Sequence, residues 1–408
     1  MPIVKIWRWY RTFLLVLTPF LAPFAGMYVG ARWVQGGRSL SFKARPQGTL
    51  IWVHAASVGE LRTALALIEH LWAASPFSFL VTTVTPASAR LLQKFTRLKV
   101  FYQFAPLDLP ITVDRFLRKW RPDLGVFLES EIWPMLLLSL KQRKIPAFLV
   151  SARLSERAAA RWKRLPQAAL EELLSCFSAI LAQSADDQVR FQQLGAHSAV
   201  VGENLKYLVP PLPVEEGAFQ ALRQAVSDRP LWLAASTHAG EEEGLLCAHQ
   251  EVKRTLPGLL TIIAPRYPRR AAEIQRFCKA KGLAFALRSR GELPDPAKEI
   301  YIVDTLGELG LFYKLAEVVF VGGSLVPAGG HTLVEPAQLH CALICGPHME
   351  HHQEIMDAFL CQEAVLQVTD IASLSREVAQ LLTVPSYRSA LQTAAESLAA
   401  SQKQSFET

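Results

Sequence analysis

The segment HAASVGE, His54–Glu60, sets a glutamate three residues after a serine, behind the apolar run LIWVHA and ahead of the helical stretch LRTALALIEHLWAA. Two kinds of chemistry fit Glu60. Ser57 and Glu60 match the capping box, in which a serine and a glutamate satisfy each other's helix-end donors. The same spacing recurs as Thr305–Glu308 and Thr332–Glu335. A carboxylate at a helix N-terminus also tends to stay ionised, because the dipole favours its charge, and in that state it can take a proton from a hydroxyl.

A second cluster is VGGSLVPAGGHTLVEPA, residues 321–337. Gly322, Gly323, Gly329 and Gly330 would let backbone approach a ligand closely. A helix starting near Thr332 would aim free N–H groups at a phosphate, and Glu335 could accept from ribose hydroxyls. A tight structural turn explains the glycines equally well. The pattern is neither a P-loop nor GxGxxG, so it does not indicate ATP or NAD. In APRYPRR, residues 264–270, Arg266 stands at a strand end where a guanidinium can clamp phosphate, while Arg269 and Arg270 read as solvated surface.

Other charged groups sit at similar places. In LESEIWP, Glu129 and Glu131 flank Ser130. Two carboxylates suggest acid/base work, but residues two apart point to opposite sides, and one of them could simply cap the helix opened by Trp133-Pro134. SARLSERAAARWKR places Arg157, Arg161 and Arg164 at helical spacing, either as a solvated face or as a grip on an anionic head group. VGENLKYL carries Lys206. GPHMEHHQE holds His348, His351 and His352 with Glu350 and Glu354, yet matches no established zinc spacing, so no metal is expected.

These residues need a scaffold, and the sequence supplies a regular one. Short, wholly apolar runs recur: LIWVHA, FLVTTVT, VFYQFA, LGVFLES, AFLVSA and AILAQS, then LWLAAST, LLTIIAPR, AFALRS, EIYIVDT, VVFVGGS and ALICGP. Such runs suit parallel strands buried on both faces, with helical segments between them. LVPPLPVEEG, residues 208–217, interrupts the pattern, because Pro210, Pro211 and Pro213 cannot continue a helix or a central strand. The expectation is an α/β protein of two Rossmann-like domains, residues 35–209 and 210–408, with ligands beyond the carboxyl ends of the strands in a cleft between facing domains.

The first 34 residues read differently. Phe13–Gly30 carries no charge, with Lys5, Arg8 and Arg11 before it and Arg32, Arg38 and Lys43 after. As a helix it would be about 27 Å long, near the hydrocarbon thickness. Trp7, Trp9, Tyr10, Tyr28 and Trp33 flank it like an interfacial belt, so residues 1–34 read as a membrane anchor or monotopic patch, with a cleaved signal peptide as the rival. Over 408 residues, 50% hydrophobic and 19% charged composition argues against disorder. The net charge of +7 points to an anionic partner: nucleic acid, phosphorylated lipid or a membrane surface. Six cysteines without a CxxC pair read as buried, inert thiols in a reducing compartment.

HAASVGE, LESEIWP, SARLSER, AASTHAGEEE, APRYPRR, DTLGELGLFY, VFVGGSLVPAGGH, EPA and GPH occur together and in order. As a set they resemble the 3-deoxy-D-manno-octulosonic acid (Kdo) transferases of Gram-negative lipopolysaccharide assembly, over nearly the whole chain. The resemblance implies a GT-B fold, CMP-Kdo as donor substrate, no cofactor, no catalytic metal, and inversion at the anomeric centre. The implied acceptor is a tetra-acylated, bis-phosphorylated lipid A precursor (lipid IVA) at the cytoplasmic side of the inner membrane; nucleic acid is not an implied partner. Carried onto this chain, Glu60 is the general base, and Glu129 and Lys206 stabilise the transition state. Pro265 and Arg266, Leu306, Gly307 and Glu308, and Thr332, Leu333, Val334 and Glu335 match the CMP-binding segments. The family usually has HNPLE where this chain has HTLVE, with threonine for asparagine and valine for leucine, and APRH where this chain has APRY. Backbone contacts to phosphate are therefore implied more firmly than side-chain contacts from Thr332 or Tyr267. Two rival functions remain: another GT-B enzyme using UDP-sugars, as transferase or epimerase, and a non-catalytic sugar-nucleotide-binding membrane protein.

Overall fold

The computed structural model describes residues 5–16, 44–75, 77–92 and 100–404. The anchor expected over Phe13–Gly30 lies outside them beyond residue 16; among the described residues no helix is long and apolar enough to cross a membrane. The chain divides into two compact units, residues 1–209 and 210–408.

In the first unit the strands are β1 (Leu50–His54), β2 (Ser78–Thr83), β3 (Val100–Phe104), β4 (Leu124–Leu128), β5 (Ala147–Ala152), β6 (Ala179–Ala182) and β7 (Ala199–Val201). Among the described residues they form one parallel sheet in the order β3-β2-β1-β4-β5-β6-β7. The order reverses between β1 and β4, where crossover loops leave on opposite faces and open a crevice at the strand ends. Burial on both faces accounts for the continuous apolar runs. Leu50 and Trp52 face a core with Phe116, Trp120 and Phe127, while Ile51 and Val53 face Leu61, Leu65, Ile68 and Phe79. Residues 5–16 form a helix docked on the first of these cores through Trp7 and Leu14; the Trp7 indole donates to the Ala169 carbonyl at 3.0 Å.

The second unit repeats the plan with β8 (Leu231–Thr237), β9 (Leu260–Pro265), β10 (Phe285–Leu287), β11 (Ile300–Ile302), β12 (Val318–Val321), β13 (Ala342–Cys345) and β14 (Leu366–Gln367). Its parallel order, among the described residues, is β10-β11-β9-β8-β12-β13-β14, reversing between β8 and β12. β7 and β14 have no counterpart among the apolar runs. Both are edge strands of two or three residues, partly exposed, so neither needed a buried stretch.

Three expectations about surface groups change. Arg270 is not solvated surface: its guanidinium forks onto Glu242, Nε to Oε1 at 2.7 Å and Nη2 to Oε2 at 3.0 Å, and Glu242 is fully buried. Arg157, Arg161 and Arg164 are exposed, but the helix Glu156–Trp162 ends before Arg164, so they do not form one helical face. Cys176, Cys278, Cys341 and Cys345 are buried, whereas Cys247 and Cys361 are exposed.

Removing one partner of a buried ion pair leaves the other charge desolvated, which costs several kcal/mol. Arg270→Ala is therefore expected to lower the stability of the second unit by roughly 2–4 kcal/mol in urea unfolding, while Arg269→Ala changes it by less than about 0.5 kcal/mol. Equal midpoints for the two variants would contradict the pairing.

Candidate active site

In the first unit the site is built where the strand order reverses. After β1 the chain turns through Ser57, whose extended backbone (φ −105, ψ 171) caps the helix Val58–Ala74; its Oγ accepts from the Glu60 N–H at 3.2 Å. The Glu60 carboxylate does not complete a capping box on the Ser57 backbone N–H. Its Oε2 accepts instead from the Ala56 N–H at 2.8 Å. This holds the carboxyl group back over the end of β1, where it is 9% exposed.

That placement works against the expectation that this carboxylate tends to stay ionised. Burial, and then the negative charge of Glu129, push the Glu60 carboxyl up to about 7, against the opposing bonds from Ser57 and Ala56. Desolvation and a like charge outweigh the helix dipole here. A carboxyl balanced near neutrality is suited to accept a proton and release it again.

Glu129 follows β4 with φ 57, a left-handed conformation costly for a residue with a Cβ. The sheet holds it there: its N–H donates to the Val150 carbonyl at 3.1 Å and its own carbonyl accepts from the Arg153 N–H at 3.2 Å. The side chain meets Lys206, with Nζ 3.8 Å from Oε1. Lys206 is fixed by its turn, where the Asn204 side chain accepts from its N–H at 3.1 Å and the neighbouring Leu205 N–H donates to Ser151 Oγ at 3.3 Å. Ser151, inside β5, is also left-handed at φ 46.

Glu131 turns elsewhere, as spacing of two suggests. It accepts from the Trp133 indole and bonds His54 Nε2 at 2.9 Å; His54 Nδ1 meets Thr82 Oγ1 at 2.8 Å, and the Trp52 indole donates to the same oxygen at 2.8 Å. One consistent assignment has Thr82 donating to Nδ1 and Nε2–H donating to Glu131. This network, which sequence reasoning missed, ties the ends of β1, β2 and β4 together. The one signal for it was the histidine closing a strand.

In the second unit, Pro265 ends β9 and Arg266 follows it; the Arg266 N–H donates to the Thr237 carbonyl at 2.9 Å while its side chain is exposed beside Tyr267. His331 stacks on His238, with their Nε2 atoms 3.0 Å apart. Burial, with the charges of His238, Arg266 and His351, holds the His331 imidazole down at about 3, so it stays neutral at ordinary pH. After β11, the strand beside β9, Leu306 is 73% exposed and Gly307 is left-handed with open space around its Cα. Glu308 is engaged by Arg288 at 2.6 Å and by the Thr305 hydroxyl; the Arg288 bond holds its carboxyl below the usual range.

The segment Thr332–Glu335 is shorter than expected as a helix start. Thr332 Oγ1 accepts from the Val334 N–H at 3.3 Å, and the helix is a single turn, Val334–Ala337. Leu333 and Val334 bury their side chains, leaving backbone as their means of meeting a ligand. The nearby glycines serve contacts within the protein. A Cβ on Gly329 would strike the His351 ring at 2.5 Å, one on Gly330 the Met349 sulfur at 2.3 Å, and one on Gly322 the Thr237 Cα at 2.8 Å. Among the described residues, no group of three His, Cys, Asp or Glu side chains is arranged to hold a metal ion.

The raised Glu60 carboxyl has a consequence for stability. Its folded-state value lies above the unfolded one, so its contribution is full below about 4.5 and is lost as pH rises through about 7. Glu60→Gln removes that loss. The variant is expected to melt close to the wild type at pH 4.5 and above it at pH 8, by up to about 3 kcal/mol at ~1.4 kcal/mol per pH unit. A difference that stays constant with pH would rule out the desolvated carboxyl.

Comparison with known proteins gives the family. The family model described as 3-deoxy-D-manno-octulosonic-acid transferase (kdotransferase) matches residues 32–209. A probable mitochondrial 3-deoxy-D-manno-octulosonic acid transferase of Arabidopsis thaliana is 35% identical over 405 residues, covering 94% of this chain and 89% of its own. The 3-deoxy-D-manno-octulosonic acid transferase of Haemophilus influenzae is 34% identical over 391 residues, 92% of this chain and 91% of its own. Among solved structures, a glycosyltransferase from Rickettsia africae aligns over 89% of this chain and 98% of its own, with a TM-score of 0.60 at 12% identity. A likeness that distant shows the fold alone, a GT-B-like pair of parallel α/β sheets. With relatives matching at this level over nearly their full lengths, the chain belongs to the Kdo transferase family.

Proposed function

We propose that the protein transfers Kdo from CMP-Kdo to a tetra-acylated, bis-phosphorylated lipid A precursor, with inversion, at the cytoplasmic face of the inner membrane. The observation that carries the reading is the Glu60 carboxyl, raised to about 7 beside Glu129 at the point where strand order reverses. In this reading Glu60 takes the proton of the acceptor hydroxyl as that oxygen bonds to the anomeric carbon. The bond from that carbon to the CMP phosphate breaks, and CMP leaves with the electron pair. Glu60 then returns its proton to water. Glu129 offsets positive charge developing on the sugar ring, and Lys206 offsets the negative charge around it. Arg266 and the backbone of residues 331–334 hold the CMP phosphate, and Pro265 and residues 306–308 shape the rest of the donor site.

Attachment to a membrane surface is supported by the helix 5–16. Trp7 and Leu14 turn inward, while Trp9 is 68%, Phe13 46% and Val16 65% exposed. The Trp9 and Phe13 rings stack 5.5 Å apart, and Lys5, Arg8 and Arg11 are exposed on the same helix. An apolar strip beside cations suits an anionic lipid interface.

Solved UDP-N-acetylglucosamine 2-epimerases share the fold, including one from Neisseria meningitidis bound to UDP-GlcNAc at a TM-score of 0.59 and 10% identity, so a UDP-sugar enzyme is the second reading. Thermal unfolding separates the two. CMP at 100 times its dissociation constant should stabilise the protein by about 2.7 kcal/mol, and a larger shift with UDP would favour the alternative. With CMP-Kdo and the tetra-acylated precursor, mass spectrometry should find the lipid heavier by Kdo. The rate should rise about tenfold per pH unit below about 7 and level off above it, as the basic form of Glu60 accumulates. Glu60→Gln should lose a factor of roughly 10²–10⁴ in transfer with CMP affinity unchanged; retained transfer would leave Glu60 only a structural role.

A further inference from the structure

Glu241, in the run THAGEEE, is 1% exposed and lies at the reversal of strand order in the second unit. Its Oε2 accepts from the His238 and Gly323 N–H groups, both at 2.8 Å. Its Oε1 accepts from the Ser324 N–H at 3.1 Å and the Leu325 N–H at 3.0 Å. Three successive amides converging on one point form the concavity by which turns bind anions. The glycine-containing turn after β12, the natural place for a donor phosphate, therefore already holds an anion, supplied by the protein itself.

The same carboxylate links three strand ends. Through His238 it fixes the end of β8, and the His238 ring meets His331, whose surroundings include Arg266. Through Ser324, whose Oγ accepts from the Gly346 N–H at 2.8 Å, the turn is joined to the end of β13. A Cβ on Gly346 would lie 2.2 Å from the Ser324 carbonyl oxygen, so the two turns are in close contact and cannot shift separately.

We infer that Glu241 is a positioning residue for donor binding: its carboxylate closes the amides of Gly323–Leu325 to the donor phosphate and fixes the His238–His331 pair beside Arg266. The phosphate is thereby directed to Arg266 and the backbone of residues 331–334. This rests on reading the second unit as the donor-binding one.

Glu241→Gln turns an amide NH₂ toward two backbone N–H groups, whichever way it is flipped. In the full-length chain, CMP affinity by calorimetry is expected to fall more than tenfold. The KM for CMP-Kdo should rise by a similar factor, with kcat at saturating donor within about threefold of wild type. Glu241→Ala empties the concavity, so millimolar acetate should raise its melting temperature and restore part of its CMP affinity while leaving wild type unchanged. Folded variants with wild-type CMP affinity would overturn the inference, as would a Glu241→Ala protein indifferent to acetate. If wild type itself binds no CMP, the donor assignment fails, and acetate rescue of melting still decides whether the turn is an anion cradle filled by Glu241.

Discussion

The first unit depends on burying one carboxylate, Glu60, beside another, Glu129. Glu60 and Glu129 leave adjacent strands, β1 and β4, at the place where the sheet order reverses, and burial removes much of the water that would screen them. Burial first, and then the charge of Glu129, makes ionising Glu60 unfavourable, so its proton is held to near neutrality. The bonds from Ser57 and from the Ala56 N–H keep the ionised form accessible. Surrounding devices prevent this arrangement from relaxing. Glu129 is locked in a left-handed conformation by two backbone bonds, Lys206 faces it from a capped turn, and Glu131 is turned away by His54 and Trp133.

The second unit resolves its charges in the opposite sense. Glu241 and Glu242, adjacent in sequence and both buried, are fully engaged, one by four backbone amides and the other by the Arg270 fork. There these two carboxylates are fasteners that tie loops together. Arg266 and Gly307 are exposed in this unit, and a guanidinium suits an anionic group more than proton transfer. In the proposed function the first unit supplies the base and the second holds the donor.

Much of this was legible in the sequence. Strands buried on both faces must be apolar throughout, so twelve runs were visible, while the short edge strands β7 and β14 were not. The three S/T-x-x-E spacings show where local pattern stops being informative. Ser57 accepts from the Glu60 N–H, the Thr305 hydroxyl bonds the Glu308 side chain, and Thr332 accepts from the Val334 N–H two residues on. Identical spacing gave three geometries because tertiary surroundings, Arg288 in one case and a one-turn helix in another, set the outcome. The role of Glu241 could not be read at all, since three of its donors lie more than eighty residues away. Arg270 was misjudged for the same reason: its partner, Glu242, comes from a different strand-to-helix turn.

The most direct test is titration of the Glu60 carboxyl itself, by carbon-13 NMR on glutamate-labelled protein with the resonance identified by its loss in Glu60→Gln. A midpoint at about 7 is the predicted result. A midpoint at the ordinary glutamate value of 4.5 would show that the group is neither desolvated nor pressed by Glu129, and would contradict the account.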